Sequence, residues 1–149
     1  MPGAGFLGGG ILVFGRQARG ERLTHGLVNE RWEVWLDDAL IWGDALHLEG
    51  DIATTIADPA CFAGAAACAT LILAPPASPS AFLDDARAVQ QVSAVAGMQA
   101  GVTIVGGLLV ARWLGQDALP LRRAYADLAC HLRQAAMGLP PRLPRLWHV

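Results

Sequence analysis

Between Glu30 and Leu48 the residues alternate in character with a period of two around a single Asp-Asp pair, and this limits the fold more than any other feature of the sequence. Trp32, Val34 and Leu36 alternate with Glu33, Trp35 and Asp37. After Asp37-Asp38 the apolar positions resume at Leu40, Trp42, Leu46 and Leu48. Successive side chains of a strand point to opposite faces, so this pattern predicts a β-hairpin with one buried face, a bulge at Gly43 and an end at Gly50-Asp51. It also places Trp32 and Trp35 on opposite sides of one strand. One of the two is then expected in the core and the other on a surface of the kind that contacts partners. A two-stranded hairpin is marginal alone, so the remaining chain must supply a layer to cover it.

The remaining chain is expected to supply further strands and two helices. Ala69 to Leu73 reads as a strand stopped by Pro75 and Pro76, and Gly101 to Ile104 and Leu108 to Leu114 read as two more around Gly106-Gly107. Asp58-Pro59 looks like a cap followed by a first-turn proline, with room for only a short helical turn. Ser78-Pro79 repeats the signature and predicts a helix over residues 79–91, with Phe82, Ala86 and Val89 on one face and Asp84, Asp85 and Arg87 on the other. Asp117 caps the clearest helix, 118–137, which Gly138 ends. Leu121, Tyr125, Leu128, Leu132 and Ala135 form its apolar stripe. Pro140, Pro141 and Pro144 hold the tail extended, as a strand or docking arm. The expected class is mostly β, an α+β fold in one domain over 1–149, with an atypical glycine-rich start over 1–13.

Composition removes several function classes. The 149 residues are 54% hydrophobic and 16% charged with a net charge of -2, which excludes disorder and a basic nucleic-acid binder. All eleven basic residues are arginine, so neither a Schiff-base lysine nor a Walker A loop exists here. Cys61, Cys68 and Cys130 are odd in number and widely spaced, as expected of buried thiols in a reducing compartment, with the cytoplasm the default. Met1 to Phe14 lacks the basic region of a signal peptide. Ala88 to Ala111 carries no charge over 24 residues and is long enough to span a bilayer, which keeps a small membrane-associated protein as the alternative. Its glutamines and the glycines at Gly97 and Gly106-Gly107 argue instead for shorter strands.

Few residues point to chemistry. Gly3-Ala-Gly5-Phe-Leu-Gly8 matches a dinucleotide fingerprint, but the strand that should precede such a loop has no room. The three serines stand beside no histidine, and Cys130 and His131 are neighbours on a helix, pointing about 100° apart. Asp37-Asp38 and Asp84-Asp85 fit turns and helix starts better than acid/base pairs. Glu21, His25, Asp44 and His47 are the cluster to test for metal, since imidazole and carboxylate suit nickel and zinc; their spacing is not diagnostic and fits a solvated edge or a hydrogen-bonded pair better.

Read in order, Phe14-Gly-Arg16-Gln-Ala-Arg-Gly20-Glu21, Thr24-His25-Gly26, Arg31-Trp-Glu33-Val34-Trp35, Leu108-Leu-Val-Ala-Arg112-Trp-Leu-Gly115-Gln-Asp117 and Leu143-Pro144-Arg145-Leu146-Trp147 resemble the urease accessory protein family UreD, also called UreH. The resemblance runs from about Phe14 to Trp147 and covers the C-terminal half of the longer family sequence, so the family's first sheet strands are expected to be absent. It implies a mostly β scaffold with two helices and no enzymatic activity. Such a scaffold assembles the nickel centre of apo-urease together with a UreF-type protein and, through it, a UreG-type GTPase. No cofactor is held tightly and nickel is in transit. Asp44 falls where the family carries an acid associated with a polar nickel route, and Glu21 and His25 match its Gly-Glu and His-Gly positions, making these three the metal-path candidates. Arg112, Tyr125, Arg145 and Trp147 fall in the part from which the family builds much of its UreF-facing surface. Scattered single acids and histidines suit transfer better than a closed four-ligand site, which would not release its ion.

Overall fold

Asp37 and Asp38 both adopt positive φ, 48° and 63°, and close a two-residue turn between strand β2 (His25–Leu36) and strand β3 (Ala39–Asp51). Mirror-image turns of this kind match the twist of a hairpin, and aspartate tolerates the left-handed conformation better than most residues. The described residues are 4–75 and 77–148 of a computed structural model. The expected stop at Pro76 and the start of the Gly3 fingerprint lie outside them. The other elements are β1 (Phe6–Val13), α1 (Ile52–Ala57), β4 (Ala67–Ala74), α2 (Leu83–Val92), β5 (Met98–Val105), β6 (Leu108–Gly115) and α3 (Ala118–Met137), with 3-10 turns at Gln17–Arg19, Pro79–Phe82 and Arg145–His148.

β1, β4, β6 and β5 form an antiparallel sheet in that order, and β2 and β3 pair only with each other. One face of the sheet carries the helices. Leu71, Leu73, Leu109, Ala111 and Trp113 meet Leu121, Tyr125, Leu128 and Leu132 of α3 and Ala86 of α2. Burying each large side chain contributes about 1.5–3 kcal/mol, so this layer is the main core. Asp117 caps α3 by accepting from the Leu119 amide at 2.9 Å, and Gly138 ends it in the left-handed conformation. The opposite face lies under the hairpin in two separate apolar clusters. Trp42 packs with Ile72, Leu108 and Val110, and Phe14 packs with Leu48 and Ile52.

The hairpin, the three later strands and both long helices agree with the sequence reading. Trp35 is 57% exposed, whereas Trp32 packs against the Trp42 cluster. The segment 88–111, which the alternative reading would use as a membrane span, divides into the end of α2, all of β5 and half of β6, with positive φ at Gly97, Gly106 and Gly107. No helix among the described residues is long and apolar enough to cross a membrane.

Several expectations differ, among them a buried Cys61, which is exposed. The glycine-rich start is strand β1, paired along its length with β4. A Cβ on Gly9 would meet the Thr70 carbonyl and stand 2.8 Å from the Tyr125 hydroxyl, so glycine here permits close approach rather than looseness. The register shift falls between Val34 and Trp35, leaving Ile41 as the extra residue, while Gly43 pairs regularly with Glu33. The chain does not merely turn at Gly50-Asp51: Asp51 accepts from Thr54 and caps α1, and Asp58 ends that helix instead of starting one. Ala135 is exposed and Ala136 takes the buried position on α3. Finally, the tail is neither strand nor arm. Its last turn folds back so that Trp147 stacks on Tyr125.

Candidate functional site

Between the two apolar clusters, each strand under the hairpin contributes one residue to a single row. Gly10 of β1 pairs with Thr70 of β4, Thr70 with Arg112 of β6, and Arg112 with Gly101 of β5. This row crosses the whole sheet. Above it the hairpin supplies Glu30, between Val28 and Trp32, and Asp44, between Trp42 and Leu46. The period-two pattern thus aims two acids inward along with their apolar neighbours. Thr70, Arg112 and Gly101 of the row, with Glu30 and Asp44, line a cleft of about 400 Å³, which Cys61, Phe62 and Cys68 also border.

Arg112 Nη2 donates to Asp44 Oδ2 at 2.8 Å, tying sheet to hairpin. A Cβ on Gly10 would stand 3.3 Å from Trp32 and 3.6 Å from Glu30 Oε1, so that end of the row is closed over by the hairpin. At the other end a Cβ on Gly101 would meet nothing within 4 Å. The cleft therefore has a walled end at Glu30 and an open one beyond Arg112. Burial pushes the Cys68 thiol up to about 11, with Glu30 and Asp44 adding to the effect and Arg112 opposing it. That places all four groups within electrostatic reach of one another.

The structure assembles this site from one of the expected metal-path residues and two others. Asp44 lines the cleft. Glu21 sits in the loop after β1, held by Arg16 at 2.6 and 3.0 Å. His25 opens β2 opposite Asp51, seven residues from Trp32, the partner of Asp44, or roughly 23 Å along the strand. His47 pairs with Asn29 on the outer face, 3.4 Å from Glu49. Glu21, His25, Asp44 and His47 are therefore not brought together, and among the described residues no group of three or more histidines, cysteines or acids is placed to hold a metal ion. Glu30 was missed as a candidate, although its parity with Trp32 and Val34 marks it as an acid on an apolar face. Arg112 carries a comparable signal, since it is the single charge in the strand Leu108–Gly115.

The residues expected at a partner surface fall into two places. Arg112 is in the cleft. Tyr125 is 4% exposed and stacks on Trp147 with ring centroids 5.3 Å apart, while Arg122 donates to the Trp147 carbonyl at 2.7 Å and covers its ring. Arg145 is exposed in the same turn. Ile11, Val13, Ala118, Leu119, Arg122 and Trp147 border a groove of about 510 Å³ between β1 and the start of α3.

The site is thus a polar row along the seam between a hairpin and a helix-backed sheet. A model of the UreD urease accessory protein family matches residues 1–148, and the chain belongs to that family. It is 41% identical over 148 residues to a urease accessory protein UreD of Magnetococcus marinus, covering 98% of this chain and 50% of that protein. The corresponding protein of Methylobacterium sp. strain 4-46 is 40% identical over 138 residues, covering 91% and 46%, and that of Azorhizobium caulinodans 38% over 146 residues, covering 98% and 50%. The chain spans about half the length of the curated relatives it matches. The match begins at residue 1, ahead of the expected start near Phe14, and so includes β1.

Proposed function

We propose that this chain is a non-enzymatic scaffold of urease maturation in the cytoplasm, acting with a UreF-type protein, a UreG-type GTPase and apo-urease, and that nickel passes through it without being held. The observation that supports this most directly is the polar row beneath the hairpin. Two carboxylates, Glu30 and Asp44, face a seam that is apolar on either side, and Arg112 opposes them. Two hard oxygen donors with a cation beside them are too few to trap nickel and enough to favour its passage. Asp44 is the metal-path residue of this reading, with Glu30 beside it; His25 stands some seven residues along the strand from the partner of Asp44, and Glu21 is paired with Arg16 in the loop after β1. Trp147 and Arg145, with Tyr125 behind the indole, form the partner-facing end, and Arg112 acts in the cleft.

Co-expression with the UreF-type and UreG-type proteins and apo-urease tests the reading. Affinity capture of this chain should recover the partners, and urease in the lysate should gain nickel and activity. Glu30→Gln with Asp44→Asn should leave capture intact and reduce nickel in urease several-fold. Absence of capture sinks the scaffold role, and undiminished nickel in the double variant removes the cleft from the route.

A further inference from the structure

The ion pair that spans the cleft also obstructs it. Arg112 stands in the middle of the polar row, between Thr70 and Gly101, with its guanidinium on Asp44. A cation reaching Glu30 and Asp44 from the open end must pass it. The pair is only partly shielded, with side-chain exposures of 55% for Arg112 and 35% for Asp44. Partly exposed pairs of this kind contribute at most about 1 kcal/mol, so Arg112 can be displaced at low cost.

Room for the displaced side chain exists. Arg112 also borders a second cavity of about 380 Å³, whose other walls are Trp42, Gly101, Val102, Thr103, Val105 and Val110. Gly101 belongs to both cavities, and the space above its Cα is open. The indole of Trp42 borders the second cavity, and aromatic faces accept guanidinium groups.

We propose that Arg112 is a displaceable counter-cation, seated on Asp44 while the cleft is empty and moved over Gly101 toward Trp42 when a divalent cation takes its place. This rests on the reading of the cleft as the nickel route and adds a specificity element to it. One positive charge on two carboxylates leaves the cleft anionic, whereas a doubly charged ion neutralises it. A monovalent ion gains less from the exchange, so the arginine favours dications over the far more abundant monovalent ones.

Titration calorimetry of the purified chain with nickel chloride tests the gate, with Glu30→Gln/Asp44→Asn subtracting binding at the exposed histidines. Arg112→Met, which keeps the length of the side chain and removes its charge, should tighten the acid-dependent binding by up to about fivefold. Gly101→Leu fills the space the guanidinium would enter and should weaken that binding, while its melting temperature stays at or above that of the parent. Acid-dependent binding that is unchanged in both variants overturns the gate and leaves the route standing. Nickel binding that ignores Glu30 and Asp44 in every variant overturns gate and route together.

Discussion

The indole of Trp147 lies parallel to the ring of Tyr125, with planes 5° apart and centroids at 5.3 Å, so the end of the tail is fixed on the last long helix. The Arg122 guanidinium covers the same indole at 5.4 Å from its centroid. Trp147→Ala removes the stack, the cation–π contact and part of the groove wall beside β1. A loss of about 2 kcal/mol is expected in chemical denaturation, below the full cost of a buried tryptophan because this one is half-buried. Trp147→Phe should recover most of it. An unchanged midpoint in the alanine variant would show the tail to be unseated in solution.

Tyr125 gives the fold an alkaline limit. Burial pushes its phenol up to about 12, against about 10 in an unfolded chain. The folded state therefore favours the neutral phenol. Its contribution is fully present below pH 10 and is lost as pH rises from 10 to 12. Equilibrium unfolding across that window should show a decline that Tyr125→Phe makes shallower. Parallel curves for the two proteins would contradict the assignment.

The cysteines should separate by reactivity. Cys61 is exposed, whereas burial pushes the Cys68 thiol up to about 11 and raises that of Cys130 as well. Alkylation with iodoacetamide at pH 8 is expected to modify Cys61 first and Cys68 last, because the thiolate is the reacting species. Peptide mass spectrometry against time reads the order. Labelling of Cys68 as fast as Cys61 would mean that the hairpin lifts from the sheet on the timescale of the reaction.

Two glycines should respond oppositely to the same substitution. Gly9→Ala drives a methyl group into the Thr70 carbonyl and the Tyr125 hydroxyl and should cost about 1–3 kcal/mol. Gly101→Ala adds its methyl to open space in an extended strand and should stabilise by about 0.5 kcal/mol. Thermal melts of the two variants decide it, and a tolerated Gly9→Ala would place β1 further from α3 than the structure has it.

Much of the fold was legible because side chains announce their own surroundings. Alternation gave away β2 and β3, and α3 declares both ends through Asp117 and Gly138. β1 was not legible for a physical reason: three glycines have no side chains with which to show a period, and the strand exists because β4 and Tyr125 leave room for nothing larger. The bulge is set by the two-residue turn and by the need to bury Trp42, neither of which marks Ile41 in advance. α1 was hidden because Asp51 serves as both strand end and helix cap. At the site, Asp44 stands out first within a scattered set of acids and histidines and again through family resemblance. Glu30 and Arg112 carried a parity signal in their own strands, yet the row itself appears only when four strands are set in register.

β1 is synthesised well before β4, the strand that seats it, since Leu12 pairs with Cys68 and Phe6 with Ala74. The whole hairpin and α1 are made in between. The β1–β4 ladder therefore cannot form until the hairpin and α1 have been made. The sheet edge is thus closed by a pairing that loops out the whole hairpin, and pairings of such long sequence separation are slow to form.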